Sequence, residues 1–249
     1  MIKVEIANEI GILQLTINVT GTESTIYPTL MWDEDTVILV DAGAPGSLNQ
    51  IKKIMEDLDV PFERLDQIII THQDIDHIGG IRGILDELPE VEVFAHEADK
   101  PYIQGEKKLI RLNSNFMERI SDLSDEDKEK VLHMFENASV DVNRTLADGD
   151  KLECCGGITV IHTPGHTPGH LCLYHQLSKT LIVGDAMNVV DGQLTGSNPQ
   201  ILNKKDLETA LNSLKKFTEF DVENVITYHG GLFINNPNER IKELRKRAD

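Results

Sequence analysis

Residues 71–80 read Thr-His-Gln-Asp-Ile-Asp-His-Ile-Gly-Gly, and His72, Asp74, Asp76 and His77 crowd into this one stretch. It follows the β-branched run Gln-Ile-Ile-Ile at 67–70, which reads as a short strand. In extended chain, residues i and i+2 point to the same side, so His72 and Asp74 face together. Asp76 and His77 fall where the chain turns into a helix, and Gly79 and Gly80 permit a tight turn with close backbone approach. Capping of a helix N-terminus explains one Asp. It does not explain two acids flanked by two histidines, whereas a metal centre does. Imidazole and carboxylate are the donors that zinc, manganese and iron take.

Outward from this stretch, three more strand ends carry side chains of the same kind. An apolar run at 158–161 leads into His162-Thr-Pro-Gly-His166-Thr-Pro-Gly-His170. Its two Pro-Gly turns stiffen the loop, and His166, between them, is the best-presented imidazole. His162 and His170 border strands and suit a supporting role as well as ligation. Asp185 ends Leu-Ile-Val-Gly-Asp, and His229 ends Val-Ile-Thr-Tyr-His before Gly-Gly. An acid at a strand end faces a cleft more often than a core, although capping alone is also a reading of Asp185.

Hydrophobic periodicity sets out the elements around these loops. Strands are expected at 13–18, 25–32 and 36–40, the last entering Asp41-Ala42-Gly43. Ser47 reads as the N-cap of a helix to residue 58, with Ile51, Ile54, Met55 and Leu58 on one face. A helix to residue 88 and a strand at 91–95 follow. Residues 97–147 are polar and helix-favouring, most clearly at 125–135, and read as a helical insertion over the site within a single domain, 1–249. Strands resume at 158–161, 171–174, 180–183 and 225–228, with helices at 205–217 and 237–247. Strands then helices, twice, suggest two sheets packed face to face with helices outside.

The chain has 249 residues and a formal net charge of −18. So acidic a surface disfavours nucleic-acid partners, which select a basic footprint. Lys107, Lys108 and Arg111 make a small basic group, read as a solvated helix face. Cys154, Cys155 and Cys172 form no C-x-x-C pair and fit a reducing compartment. The start of the chain lacks signal-peptide features, and no apolar run reaches the roughly 18 residues of a membrane span. The expectation is a cytoplasmic protein acting on a small molecule, with neither nucleic acid nor membrane as partner.

These motifs, in this order, resemble the metallo-β-lactamase superfamily, whose hydrolases include glyoxalase II-like thioesterases and lactonases. The resemblance runs from the early strands through Asp41-Ala-Gly to His229-Gly. It implies an α/β fold, an αββα sandwich of two mixed β-sheets flanked by helices. It also implies two divalent metal ions, zinc in the first instance. One would be held by His72, Asp74 and His166, the other by Asp76, His77 and His229, with Asp185 bridging. Asp74 departs from the family's H-x-H-x-D-H pattern by standing at the second histidine. A carboxylate there is a harder donor and admits manganese or iron; flavodiiron oxygen reductases of the superfamily also carry one. The function implied is hydrolysis of a small ester, thioester or lactone by a metal-bound hydroxide, with Asp76 and Asp185 as the catalytic carboxylates. The alternatives are a small phosphodiester substrate or iron-dependent oxygen or persulfide chemistry. Asp41, Thr163 and His170 are expected to orient ligands. Tyr102, Phe116, Met117, Met187 and Asn188 are pocket candidates for which ordinary packing is the stronger reading.

Overall fold

The computed structural model describes residues 4–7, 9–18 and 23–246. Val37–Val40 is buried at every position, the pattern of a strand covered on both faces. Alternate residues enter different layers: Val37 and Leu39 join one apolar cluster, Ile38 and Val40 another. Gln67–Ile69 and Glu92–His96 split in the same way, with Ile68, Val93 and Ala95 on the first side and Ile69 and Phe94 on the second.

Among the described residues, one sheet holds seven strands in the order Val4–Ala7, Ile10–Ile12, Thr29–Trp32, Val37–Val40, Gln67–Ile69, Glu92–His96 and Arg144–Leu146. Its last four strands run parallel. A second sheet of six holds Lys151–Leu152, Ile158–His162, Leu171–His175, Thr180–Ile182, Asn224–Thr227 and Gly231–Phe233 in chain order. The cluster containing Ile38, Ile69 and Phe94 also contains Ile158, Val160, Leu171, Leu173 and Ile226, so it is the layer between the two sheets. The outer face of the first sheet is covered by Leu48–Asp57, Ile81–Glu87 and the helices of the insertion. The outer face of the second is covered by Lys204–Ser213, its 3-10 extension Leu214–Glu219, and Pro237–Arg245. The result is the expected αββα sandwich.

Several boundaries differ from the sequence reading. The strand expected at 25–32 is two, Glu23–Ile26 and Thr29–Trp32. They are parted at Pro28, which has no N–H for a ladder. The segment 13–18 contributes only Leu15–Asn18, which pairs with Glu23–Ile26 as a separate two-stranded ribbon. A hairpin of Met187–Val190 and Gln193–Gly196 was not anticipated. Its Asp191-Gly192 turn has both residues at positive φ, the hairpin signal of such a dipeptide. Within 97–147, Lys100–Ile103, Ser114–Arg119 and Asp125–Glu136 are helical, but Arg144–Leu146 is a strand paired with Glu92–His96. Ile103, Phe116, Ile120, Val131 and Phe135 of this segment lie in the same cluster as Ile51 and Ile68. Residue 247, assigned to the last helix, lies outside the described residues.

Candidate metal centre

Val37–Val40 and Gln67–Ile69 are parallel, as are Thr180–Ile182 and Asn224–Thr227. Ile158–His162 reaches Thr180–Ile182 through two antiparallel pairings and so shares its direction. The loops carrying Asp41, the 72–77 stretch, His166, Asp185 and His229 therefore leave strand ends in common directions within each sheet. A hydrogen bond from Leu171 N–H to the Thr71 carbonyl (2.8 Å) ties the two sheets at this edge.

All seven residues expected from the sequence come together there. His72, Asp74 and His166 offer donor atoms within 4.8 Å of one another, as do Asp76, His77 and His229. Asp185 lies between the sets: its Oδ2 is 3.5 Å from His166 Nε2, and its Oδ1 is 3.5 Å from His77 Nε2 and 3.4 Å from His229 Nε2. His72 Nε2, Asp74 Oδ1, His77 Nε2 and Asp185 Oδ1 are buried with no hydrogen-bond partner. Such atoms are rare in folded proteins because burying a polar group without a partner is costly. Four of them converging, two imidazole nitrogens and two carboxylate oxygens, fit a divalent metal ion.

The ligand orientations are built in. Asp41 Oδ2 lies 2.8 Å from His77 Nδ1 and accepts a bond from the Thr71 hydroxyl, while Oδ1 accepts from Thr71 N–H. An ionised carboxylate only accepts, so His77 donates its Nδ1 proton to Asp41 and turns Nε2 toward the centre. Asp41 sits at φ +60°, in the left-handed region. Strain of that kind persists only where the surroundings hold it. The Tyr228 ring stacks on His77 at 3.7 Å.

His170 supports the centre rather than facing it. Its Nε2 accepts from Asp185 N–H (3.1 Å) and its Nδ1 meets the Thr163 hydroxyl (2.8 Å). His162 points elsewhere, its ring stacked on His96 at 3.9 Å and its Nε2 2.9 Å from the Pro168 carbonyl.

Two residues that sequence reasoning passed over complete the frame. Asp99 is fully buried. Its carboxylate accepts from Gly169 N–H (2.7 Å), the Thr167 hydroxyl (2.7 Å) and Gln73 N–H (3.2 Å), pinning the Pro-Gly loop to the strand end. Arg111, read as part of a solvated helix face, lies in a turn and reaches inward. Its Nε donates to Asp74 Oδ2 at 2.9 Å, and Nη2 donates to the His166 carbonyl at 2.9 Å. Neither position carried a local motif; Asp99 follows a strand, as the other acids do.

Charge in the centre is tightly coupled. Burial opposes ionisation of Asp74, yet His72 and His166 hold its carboxyl well below the usual range; His229 and His166 do the same for Asp185. Burial also opposes protonation of His77 and His229. Asp41 and Asp76 nevertheless raise His77 well above an ordinary imidazole, and Asp185 and Asp76 push His229 up to about 10. Burial lowers His72, helped by its neighbour His77. The acids are thus held ionised, and the cluster calls for cations.

The centre forms the floor of a cleft of about 830 Å³. Ile17, Ile110, Phe116 and Ile201 supply apolar wall, and Asn113 and Asn203 supply amides. Of the five pocket candidates, Phe116 lines this cleft. Met187 is core, Tyr102 packs against the core, Met117 is exposed, and Asn188 lies in the unanticipated hairpin.

The family model for the metallo-beta-lactamase superfamily matches residues 21–229, and the chain belongs to that superfamily. It is 26% identical over 232 residues to the probable metallo-hydrolase YflN of Bacillus subtilis, spanning 88% of this chain and 84% of that protein. It is 24% identical over 224 residues to a hydroxyacylglutathione hydrolase of Salmonella dublin, with 86% and 70% covered. Its fold superposes on a metallo-beta-lactamase family protein from Thermus thermophilus with a TM-score of 0.71 at 20% identity, covering 98% of this chain and 80% of the other. Among the described residues, no helix is long and apolar enough to cross a membrane.

Proposed function

We propose that the protein is a metal-dependent hydrolase of a small carbonyl substrate, an ester, thioester or lactone. The observation that carries this reading is the set of partnerless buried donors, His72 Nε2, His77 Nε2, Asp74 Oδ1 and Asp185 Oδ1, on the floor of an open cleft. Asp76, His77, His229 and Asp185 would hold the principal ion, zinc by this donor set. His72, Asp74 and His166 form a second position whose occupancy turns on Arg111. A divalent ion so held supplies a hydroxide nucleophile at neutral pH and polarises a carbonyl oxygen.

The chain's own residues do the rest. Asp41 fixes the His77 tautomer, and His170 positions Asp185 through its backbone N–H. Asp76 lines the cleft with its carboxylate partly exposed, placed to hold a proton for the leaving group. Ile110, Phe116 and Ile201 offer apolar surface to an acyl chain or ring. The net charge of −18 disfavours a polyanionic substrate. The hydroxyacylglutathione hydrolase relative supports a thioester within the carbonyl class.

The test pairs metal analysis of the purified protein with a panel of thioesters, lactones, esters and phosphodiesters. Bound zinc and turnover of a carbonyl substrate are expected, with both lost in His77→Ala and Asp185→Ala. Undiminished hydrolysis by metal-stripped protein overturns the reading. Bound iron with oxygen consumption and no hydrolysis replaces it by redox chemistry.

A further inference from the structure

We propose that Arg111 is the resident cation of the His72, Asp74 and His166 ligand set, so that the chain binds one metal ion firmly and a second only by displacing this guanidinium. The inference rests on the metallohydrolase reading and concerns how its centre is filled. Three observations carry it.

The first is how completely the guanidinium is engaged. Beyond its bonds to Asp74 and the His166 carbonyl, Nη1 donates to the Ile201 carbonyl at 3.0 Å, and Nη2 lies 3.1 Å from His166 Nε2. Three of its five N–H groups therefore have oxygen acceptors within the protein, and a fourth points at His166 Nε2. A side chain so bound is a poor anchor for a substrate anion and a good fixed counter-ion.

The second is what this does to the ligands. His166 Nε2 stands 3.0 Å from Asp74 Oδ2 and 3.1 Å from Arg111 Nη2. A guanidinium has no lone pair to offer. Whichever tautomer the imidazole takes, Nε2 either donates to Asp74 or accepts from Arg111, and in both cases its lone pair is withheld from a metal. His72 Nε2, Asp74 Oδ1 and His166 Nδ1 are the atoms of this set left without partners. The His166 nitrogen that faces Asp74 and Asp185 is Nε2, so two free donors face the position, fewer than zinc accepts in stable protein sites. Around the other set the cationic groups within reach are its own imidazoles, and among the described residues no lysine or arginine pairs with Asp76 or Asp185.

The third is that the delivery of Arg111 is built. Ile110 N–H donates to Oε1 of Gln73 at 2.8 Å, and Gln73 is buried between His72 and Asp74 in the chain. Asn113 Nδ2 returns to the Ile110 carbonyl at 3.1 Å. The Arg111 side chain is 19% exposed and that of Asp74 9%, so separating the two would leave an unpaired, largely buried charge. The acid at position 74 and the arginine that neutralises it form one unit.

The experiment is titration of chelator-stripped protein with Zn²⁺ by calorimetry, with metal counted after gel filtration. Wild type is expected to retain one ion per chain, a second binding weaker by about 10–100-fold, the range over which outer groups tune metal sites. Arg111→Met removes the charge while keeping the length, and should bring the two affinities together and retain two ions. Arg111→Lys, a cation without the planar fork, should fall between. Two ions of equal affinity in wild type, or a second-site affinity unchanged by Arg111→Met, overturns the inference while leaving the hydrolase reading intact. No bound ion in folded wild type overturns both. Should Arg111→Met fail to fold, Co²⁺ titration of wild type decides alone. A first equivalent bound at least about 10-fold more tightly than the second supports the inference, and two equivalents of equal affinity overturn it.

Discussion

Asp41 Oδ2 lies 2.8 Å from His77 Nδ1, across thirty-six positions of sequence, and both side chains are buried. This contact links the end of the strand Val37–Val40 to the short helix Ile75–Ile78 and decides which nitrogen of His77 faces the centre. Asp41→Asn keeps the volume but replaces the anion by a neutral amide. Metal affinity, read by competition with a chromophoric chelator, should fall about 10–100-fold. An unchanged affinity would show that His77 is oriented by packing alone.

Metal binding should release protons. His229 is pushed up to about 10 without metal, so near neutral pH it carries a proton that must leave before Nε2 can ligate. Calorimetric titrations in buffers of different ionisation enthalpy should therefore report proton release, and apparent affinity should climb as pH rises toward 10. In the metal-free protein the raised imidazole contributes stability that is fully present below its ordinary value of 6.5. That contribution is lost as pH rises through about 10. Metal-free melting temperatures that increase over this interval would contradict the assignment.

Asp99 holds three donors, Gly169 N–H, the Thr167 hydroxyl and Gln73 N–H, for which it is the one acceptor among the described residues. Asp99→Ala should destabilise the fold by about 3 kcal/mol or more, since each orphaned buried donor costs roughly 1–3 kcal/mol. Urea denaturation measures this. A loss below about 1 kcal/mol would mean that water replaces the carboxylate.

Gly184 precedes Asp185 at φ +47°, and a Cβ there would stand 2.9 Å from both His170 Nε2 and Thr71 Oγ1. Gly184→Ala should lower stability by about 1–3 kcal/mol. It should also reduce metal retention, because the displaced groups are those that seat Asp185 and His72. Thermal melts and metal counts on the same preparation test the two effects together.

The candidate ligands were legible because each sits at a strand end beside Gly or Pro, and strand ends are marked by the period-2 apolar runs before them. The same periodicity gave the two sheets, as Val37–Val40 illustrates by feeding alternate residues into two layers. The Met187–Val190 and Gln193–Gly196 hairpin was legible and overlooked, since Asp191-Gly192 between apolar residues is a turn signal. Arg111 was not legible. Its neighbours Lys107 and Lys108 are exposed, and nothing in a short basic run distinguishes the one cation that turns inward.

Where donor atoms concentrate, and in what order the chain supplies them, can be read from the sequence, because ligand spacing, Pro-Gly turns and hydrophobic period are local properties. It carried Asp74 as an unusual acid without saying what answers it. That Arg111, thirty-seven residues further on, is the answer follows from how the folded chain brings the two together. A long side chain on an irregular segment takes its direction from where the backbone is pinned, here by Gln73 and Asn113. Those anchors exist only once the insertion has closed over the strand ends.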